Sequence, residues 1–123
     1  MTDRPVTDGL TANLERAMVK SDHPMLAGHF PGHPIVPGAW LLAWVVAAAT
    51  RQLAVAESRS IAAIKRVKFL RPLAPDEPFE CTLTLRASTD SAQSVARDSM
   101  RFTVTSERGV IAEGSLLLRP RAD

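Results

Sequence analysis

Gly28-His29-Phe30-Pro31-Gly32-His33-Pro34-Ile35-Val36-Pro37-Gly38, followed by the apolar run Ala39-Trp40-Leu41-Leu42-Ala43-Trp44-Val45-Val46-Ala47-Ala48-Ala49, is the stretch around which the chain is organised. Three prolines spaced three apart fix φ at residues 31, 34 and 37. They also push each preceding residue out of helical geometry, so the first half reads as a stiff, extended loop. Gly28, Gly32 and Gly38 are points where the backbone can turn sharply or let another group approach closely. His29 and His33 are thereby held on a rigid segment feeding straight into a helix, which is how a reactive group is pre-positioned. From residue 37 to about 53 the run is apolar all round for three turns, which predicts a core helix enclosed on every side. The apolar stretch 35–49 is interrupted by Pro37 and Gly38 and falls short of the roughly 20 residues a membrane span needs. No membrane partner is expected.

Moving outward, the C-terminal part supplies what wraps the helix. Residues 60–71 carry Ile61, Ala63, Val67 and Phe69 and end at Pro72; residues 79–87 alternate as Phe79, Cys81, Leu83 and Leu85. Residues 95–106 carry Met100, Phe102 and Val104, and residues 110–119 carry Ile111, Leu116 and Leu118. All four segments read as strands, and Glu107-Arg108-Gly109 is short enough for an antiparallel hairpin. On the N-terminal side, residues 10–19 fit both an alternating and a helical pattern, with propensity leaning helical, and Asp22-His23-Pro24 ends the segment. One antiparallel sheet around one helix, an α+β fold, is the economical arrangement.

A chain of 123 residues makes a single domain, 1–123, able to bury a core. The net charge of +2 comes from basic and acidic residues that are interspersed, which argues against a nucleic-acid partner. Cys81 is the only cysteine, so no intrachain disulfide can form, and no metal-type Cys/His spacing occurs. With no apolar leader in residues 1–8, a cytoplasmic location is expected. Neither a metal nor an organic cofactor is implied.

The string from His29 to Gly38 resembles the active-site segment of the 3-hydroxyacyl-[acyl-carrier-protein] dehydratases, a family of the hot-dog fold superfamily. Val67-Lys68-Phe69-Leu70-Arg71-Pro72-Leu73-Ala74-Pro75 resembles the strand and turn after the central helix in the same family. The resemblance implies a curved antiparallel sheet wrapped around the helix that starts near Pro37, with residues 10–19 as the first strand. It also implies homodimers joined sheet edge to sheet edge, with the active site at the interface. The substrate would be a 3-hydroxyacyl thioester on acyl carrier protein or coenzyme A, in fatty-acid or polyketide-like biosynthesis. By the same resemblance, His29 removes the proton α to the thioester carbonyl and the Gly38 N–H binds the carbonyl oxygen. Phe30, Gly32, Pro37 and His33 are then the substrate-binding positions. The chemistry suits these groups: an imidazole titrates near neutrality, and an N–H in the first turn of a helix carries partial positive charge without an intrahelical partner.

One departure stands out. The family's proton-donating Asp or Glu falls fourteen positions after the catalytic histidine, and here that position is Ala43. The first acid further along is Glu57, past the expected helix end. Three readings follow: a dehydratase whose donor is water, His33, Asp22 or His23; an acyl thioesterase in which His29 aids a water; or a non-catalytic module that binds acyl chains or a carrier protein. Other residues take plainer roles. Trp40 and Trp44, at i and i+4, share a helix face and suit core or dimer packing. Lys65, Arg66, Lys68 and Arg71 form the densest basic cluster and suit a solvated strand face. Cys81 suits burial.

Overall fold

The computed structural model describes residues 11–26, 35–56, 60–86 and 99–119. The elements are β1 (Thr11–Ala17), a 3₁₀ turn (Pro24–Leu26), α1 (Gly38–Ala56), β2 (Ile61–Phe69), β3 (Phe79–Arg86), β4 (Ser99–Ser106) and β5 (Gly109–Leu118). The five strands form one antiparallel sheet, in the order β1-β3-β4-β5-β2, curved around α1 in the hot-dog arrangement.

Alternation builds the core face. Phe79, Cys81 and Leu83 of β3, Met100, Phe102 and Val104 of β4, and Leu116 and Leu118 of β5 are buried against Leu41, Val45, Ala48, Ala49 and Leu53 of α1. Each large side chain so buried stabilises the fold by about 1.5–3 kcal/mol before its ordering cost. Trp44 packs edge-on against Phe79 with ring centroids 4.9 Å apart, the core role expected of it.

One expectation is upheld and another needs correction. Residues 11–17 are the first strand that the resemblance implies, against their local helical leaning, because seven consecutive residues from Thr11 to Ala17 pair with Leu85 to Phe79 of β3. A tertiary ladder outweighs a weak local propensity. The helix, by contrast, is not enclosed on every side. Ala39, Ala43, Ala47, Thr50 and Arg51 form an exposed stripe down α1. Alanine raises an apolar count without demanding burial, since its methyl group costs little in water.

Alternation is broken at β-bulges, and these decide which side chains reach the helix. In β2, Lys65 pairs with Ser115 and Lys68 with Glu113, so three steps on one strand match two on the other. Arg66 takes up the extra residue with φ 57°. As a result Lys65 and Lys68 share the outer face, and Phe69, opposite the buried Ala112, turns inward. In β5 a similar shift between the Val104–Ala112 and Thr105–Val110 pairs leaves Ile111 and Ala112 both buried. The β4–β5 hairpin closes through Glu107 and Arg108 to Gly109, whose φ of 125° suits glycine alone. No helix among the described residues is long and apolar enough to cross a membrane.

Candidate active site

The N-terminus of α1 is the best-defined chemical feature. Pro37 is its cap residue, with the Leu41 N–H donating to the Pro37 carbonyl at 3.1 Å. The N–H groups of Gly38, Ala39 and Trp40 therefore have no carbonyl within the helix to bond, and the helix dipole adds partial positive charge there. The strand-like lead-in is pinned by the Val36 N–H, which donates to the Leu73 carbonyl at 2.8 Å.

Beside this end lies a cavity of about 420 Å³, lined by Ile35, Val36, Gly38, Leu41, Phe69, Leu70, Arg71, Pro72, Leu73 and Ile111. The lining is almost wholly apolar. The Phe69 ring rests on Gly38, so close that a Cβ there would meet ring carbons at 3.1, 3.2 and 3.5 Å. Only a glycine allows this approach without displacing the ring. Phe69 is 52% exposed, so the ring has room to move.

Two polar clusters hold the surrounding walls. Glu77 accepts from the Ala74 N–H at 3.0 Å, from Arg71 Nη1 at 3.1 Å and from the Ser106 hydroxyl, tying the turn that carries Leu73 to the end of β4. Burial pushes the Glu77 carboxyl up, but the Ser106 and Ala74 hydrogen bonds and Arg71 outweigh it and leave the group below the usual carboxylate range. Glu15, inward on β1, accepts from Arg51 at 2.7 Å and from Gln52 Nε2 at 2.9 Å, and so fastens the later turns of α1 to the sheet edge. Its carboxyl is likewise held low: burial raises it, and Gln52 and Arg51 more than compensate. Cys81 is fully buried, and burial, reinforced by the Glu15 charge, pushes its thiol up to about 12.

Of the residues expected at the site, Pro37 and Gly38 form the helix start, whereas His29, Phe30, Gly32 and His33 lie outside the described residues. Ala43 is exposed on α1, and α1 carries no carboxylate at all. Among the alternative proton donors, Asp22 is exposed in a turn, and His23 lies edge-on to Trp40, in the first turn of α1, with ring centroids 6.1 Å apart. Arg71 leaves the expected solvated basic cluster, because Glu77 holds it half-buried. The sequence does not announce the placement of Phe69 and Ile111 in the cavity wall, nor of Glu77 as the group that holds the wall residue Arg71. Pro72 and Pro75 mark the turn that brings Glu77 back, but nothing local announces the bulge that aims Phe69.

A family model described as ApeI dehydratase, ApeI-like, matches residues 7–115. The chain belongs to the ApeI-like dehydratase family. Among solved structures, this ApeI-like chain is similar to a protein from Erwinia carotovora subsp. atroseptica, at 26% identity over 97% of this chain and 91% of the other, with a TM-score of 0.71. It is also similar to the dehydratase heterocomplex ApeI:P from Xenorhabdus doucetiae, at 20% identity over 87% and 86%, TM-score 0.59. A mutant of the fluoroacetyl-CoA-specific thioesterase FlK shares 14% identity over 94% and 88%, TM-score 0.66. The last two likenesses speak to the fold, which dehydratases and thioesterases share. Among curated proteins, none matches the chain.

Proposed function

We propose that this ApeI-like protein dehydrates 3-hydroxyacyl thioesters, carried on acyl carrier protein or coenzyme A, as a cytoplasmic single-domain homodimer serving fatty-acid or polyketide-like biosynthesis. The observation that supports this is the junction of unbonded amides at the α1 N-terminus with an apolar cavity of about 420 Å³. One half can hold a carbonyl oxygen and the other an acyl chain. His29 takes the α-proton, with Phe30, Gly32, Pro37 and His33 around the substrate, and the Gly38 N–H holds the oxygen as it gains charge. The β-hydroxyl then leaves as water on receiving a proton, giving a 2-enoyl thioester.

Ala43 cannot supply that proton. Of the described alternatives, His23 lies against the first turn of α1 and is the stronger candidate. A second reading follows from the absence of any acid on α1 together with the heterocomplex ApeI:P. In it, a different hot-dog subunit pairs with this chain and brings the acid.

The deciding experiment incubates the purified protein with a panel of 3-hydroxyacyl thioesters on both carriers and follows products by mass spectrometry. The proposal expects enoyl product, abolished by His29→Ala with the oligomer intact and raised by Ala43→Glu. Free acid in place of enoyl product would select a thioesterase. Intact substrate across the panel, with an acid-bearing hot-dog partner added or not, would select a binding module.

A further inference from the structure

The face of the sheet turned away from α1 carries a second concavity, independent of the helix N-terminus and of the reading given to it. It measures about 210 Å³ and is lined by Arg66, Lys68, Arg101, Glu113, Gly114 and Ser115. At roughly 30 Å³ per water, it has room for about seven water-sized groups, a phosphoryl group and a few atoms beyond.

Its cations converge through the register of the sheet. Arg101 and Lys65 flank Ser115 in one row across the strands, and Lys68 is opposite Glu113 in the next. On a regular strand, residues three apart point to opposite faces. The bulge at Arg66 is what brings Lys68 onto the face of Lys65 and Arg101. Arg66 itself is held at φ 57°, a left-handed conformation disfavoured for a side chain of this size. Non-glycine residues held in such conformations concentrate at ligand sites.

The charges are also unspent. Three other described arginines are paired: Arg16 with Glu80, Arg51 with Glu15 and Arg71 with Glu77. Among the described residues, Arg66, Lys68, Arg101 and Glu113 make no ion pair and no side-chain hydrogen bond, although three cations and a carboxylate line one cleft. Two guanidinium forks and an ammonium match a phosphoryl group, which guanidinium binds through paired N–H donors. Glu113 repels a bare anion, yet as an acceptor it favours a ligand that presents a hydroxyl beside the phosphate.

We propose that this cleft binds a phosphate monoester with a neighbouring hydroxyl, as in a sugar or polyol phosphate. Arg66, Lys68 and Arg101 take the phosphoryl oxygens, the Ser115 hydroxyl donates a further bond, and Glu113 accepts from the ligand hydroxyl. A recessed cleft of this size suits such a compact dianion better than the broad surface of an acidic protein.

Titration calorimetry at low ionic strength tests this with glycerol 3-phosphate, methyl phosphate and inorganic phosphate. Glycerol 3-phosphate should bind one site saturably and more tightly than the other two. Arg101→Gln should weaken it about tenfold, while Arg108→Gln, a cation at the hairpin, should leave it unchanged. Glu113→Gln should erase the preference for glycerol 3-phosphate over methyl phosphate. These side chains are solvent-facing, so each variant should keep the wild-type urea midpoint. The proposal is overturned by a lack of saturable binding at ten-millimolar ligand, by equal loss in Arg101→Gln and Arg108→Gln, or by a preference that survives Glu113→Gln. Tight binding of an acidic carrier protein with no affinity for the small phosphates would overturn it as well.

Discussion

Gly114→Ala should be among the most damaging single-methyl additions in this protein. Gly114 sits on β5 directly across from Phe102 of β4, both facing the core, and the Phe102 ring lies over the bare glycine. A Cβ at Gly114 would stand 2.7 Å from both Phe102 Cε2 and Cζ and 3.3 Å from the Val67 Cα. Carbon atoms in contact prefer about 3.5–4.0 Å, so the methyl group overlaps the ring edge by about 1 Å. The ring has nowhere to go, being 1% exposed, and the backbone of β2 closes the other side. Overpacking of this kind costs about 1–3 kcal/mol, and replacing a strand glycine by alanine returns about 0.5–1 kcal/mol. The net expectation is a loss of about 1 kcal/mol, read as a lower urea midpoint at unchanged m-value. Phe102→Leu alone should cost about 2 kcal/mol in lost burial. It also clears the space the new methyl needs, so the double variant should be more stable than the sum of the two by at least about 1 kcal/mol. A Gly114→Ala variant within about 0.5 kcal/mol of wild type, or strictly additive behaviour of the pair, would refute the reasoning.

Gly38→Ala offers the contrasting case. The obstructing ring, Phe69, is half-exposed and can yield a few tenths of an ångström, while alanine gains about 0.5–1 kcal/mol over glycine in a helix, so stability should change by less than about 1 kcal/mol. A loss above about 2 kcal/mol in urea would mean that Phe69 is fixed. Glu77 should make the fold acid-sensitive. Its folded pKa is depressed, so its contribution is complete above the unfolded value of about 4.3 and disappears as pH falls through the lower folded value. Glu77→Gln should lose about 1 kcal/mol at pH 7 and show a flatter stability profile below pH 4.5; parallel profiles would count against the assignment. Cys81, with its thiol pushed up to about 12, should resist a thiol reagent at pH 8 until the protein unfolds, and fast labelling of the native protein would contradict its burial.

Much of the fold is legible in the residues. The prolines and glycines at 31–38 locate the helix start, and the alternation at 79–85 and 100–104 gives two strands whose facing is correct throughout. Residues 110–118 are harder. Ile111 is odd-numbered, whereas Leu116 and Leu118 are even, and only the bulge at Ile111 and Ala112 puts all of them inside. The helical leaning of 11–17 misleads because pairing to β3, a long-range term, decides that segment. At the site, Gly38 is readable because capping and φ restrictions are local. Phe69 and Glu77 are not, since the first depends on a register shift in β2 and the second on partners 3, 6 and 29 residues away.

The extra residue at Arg66 acts on β2 much as a frameshift acts on a coding sequence. Remove it, and every side chain on one side of the deletion changes allegiance: Phe69 would leave the helix for solvent, or Lys65 would be driven toward the core. A single codon gained or lost at this point is thus enough to exchange what the two faces of the sheet display while each keeps its hydrogen-bond ladder. Relatives that differ here by one residue in length should differ at once in the wall of the apolar cavity and in the charge pattern on the opposite side.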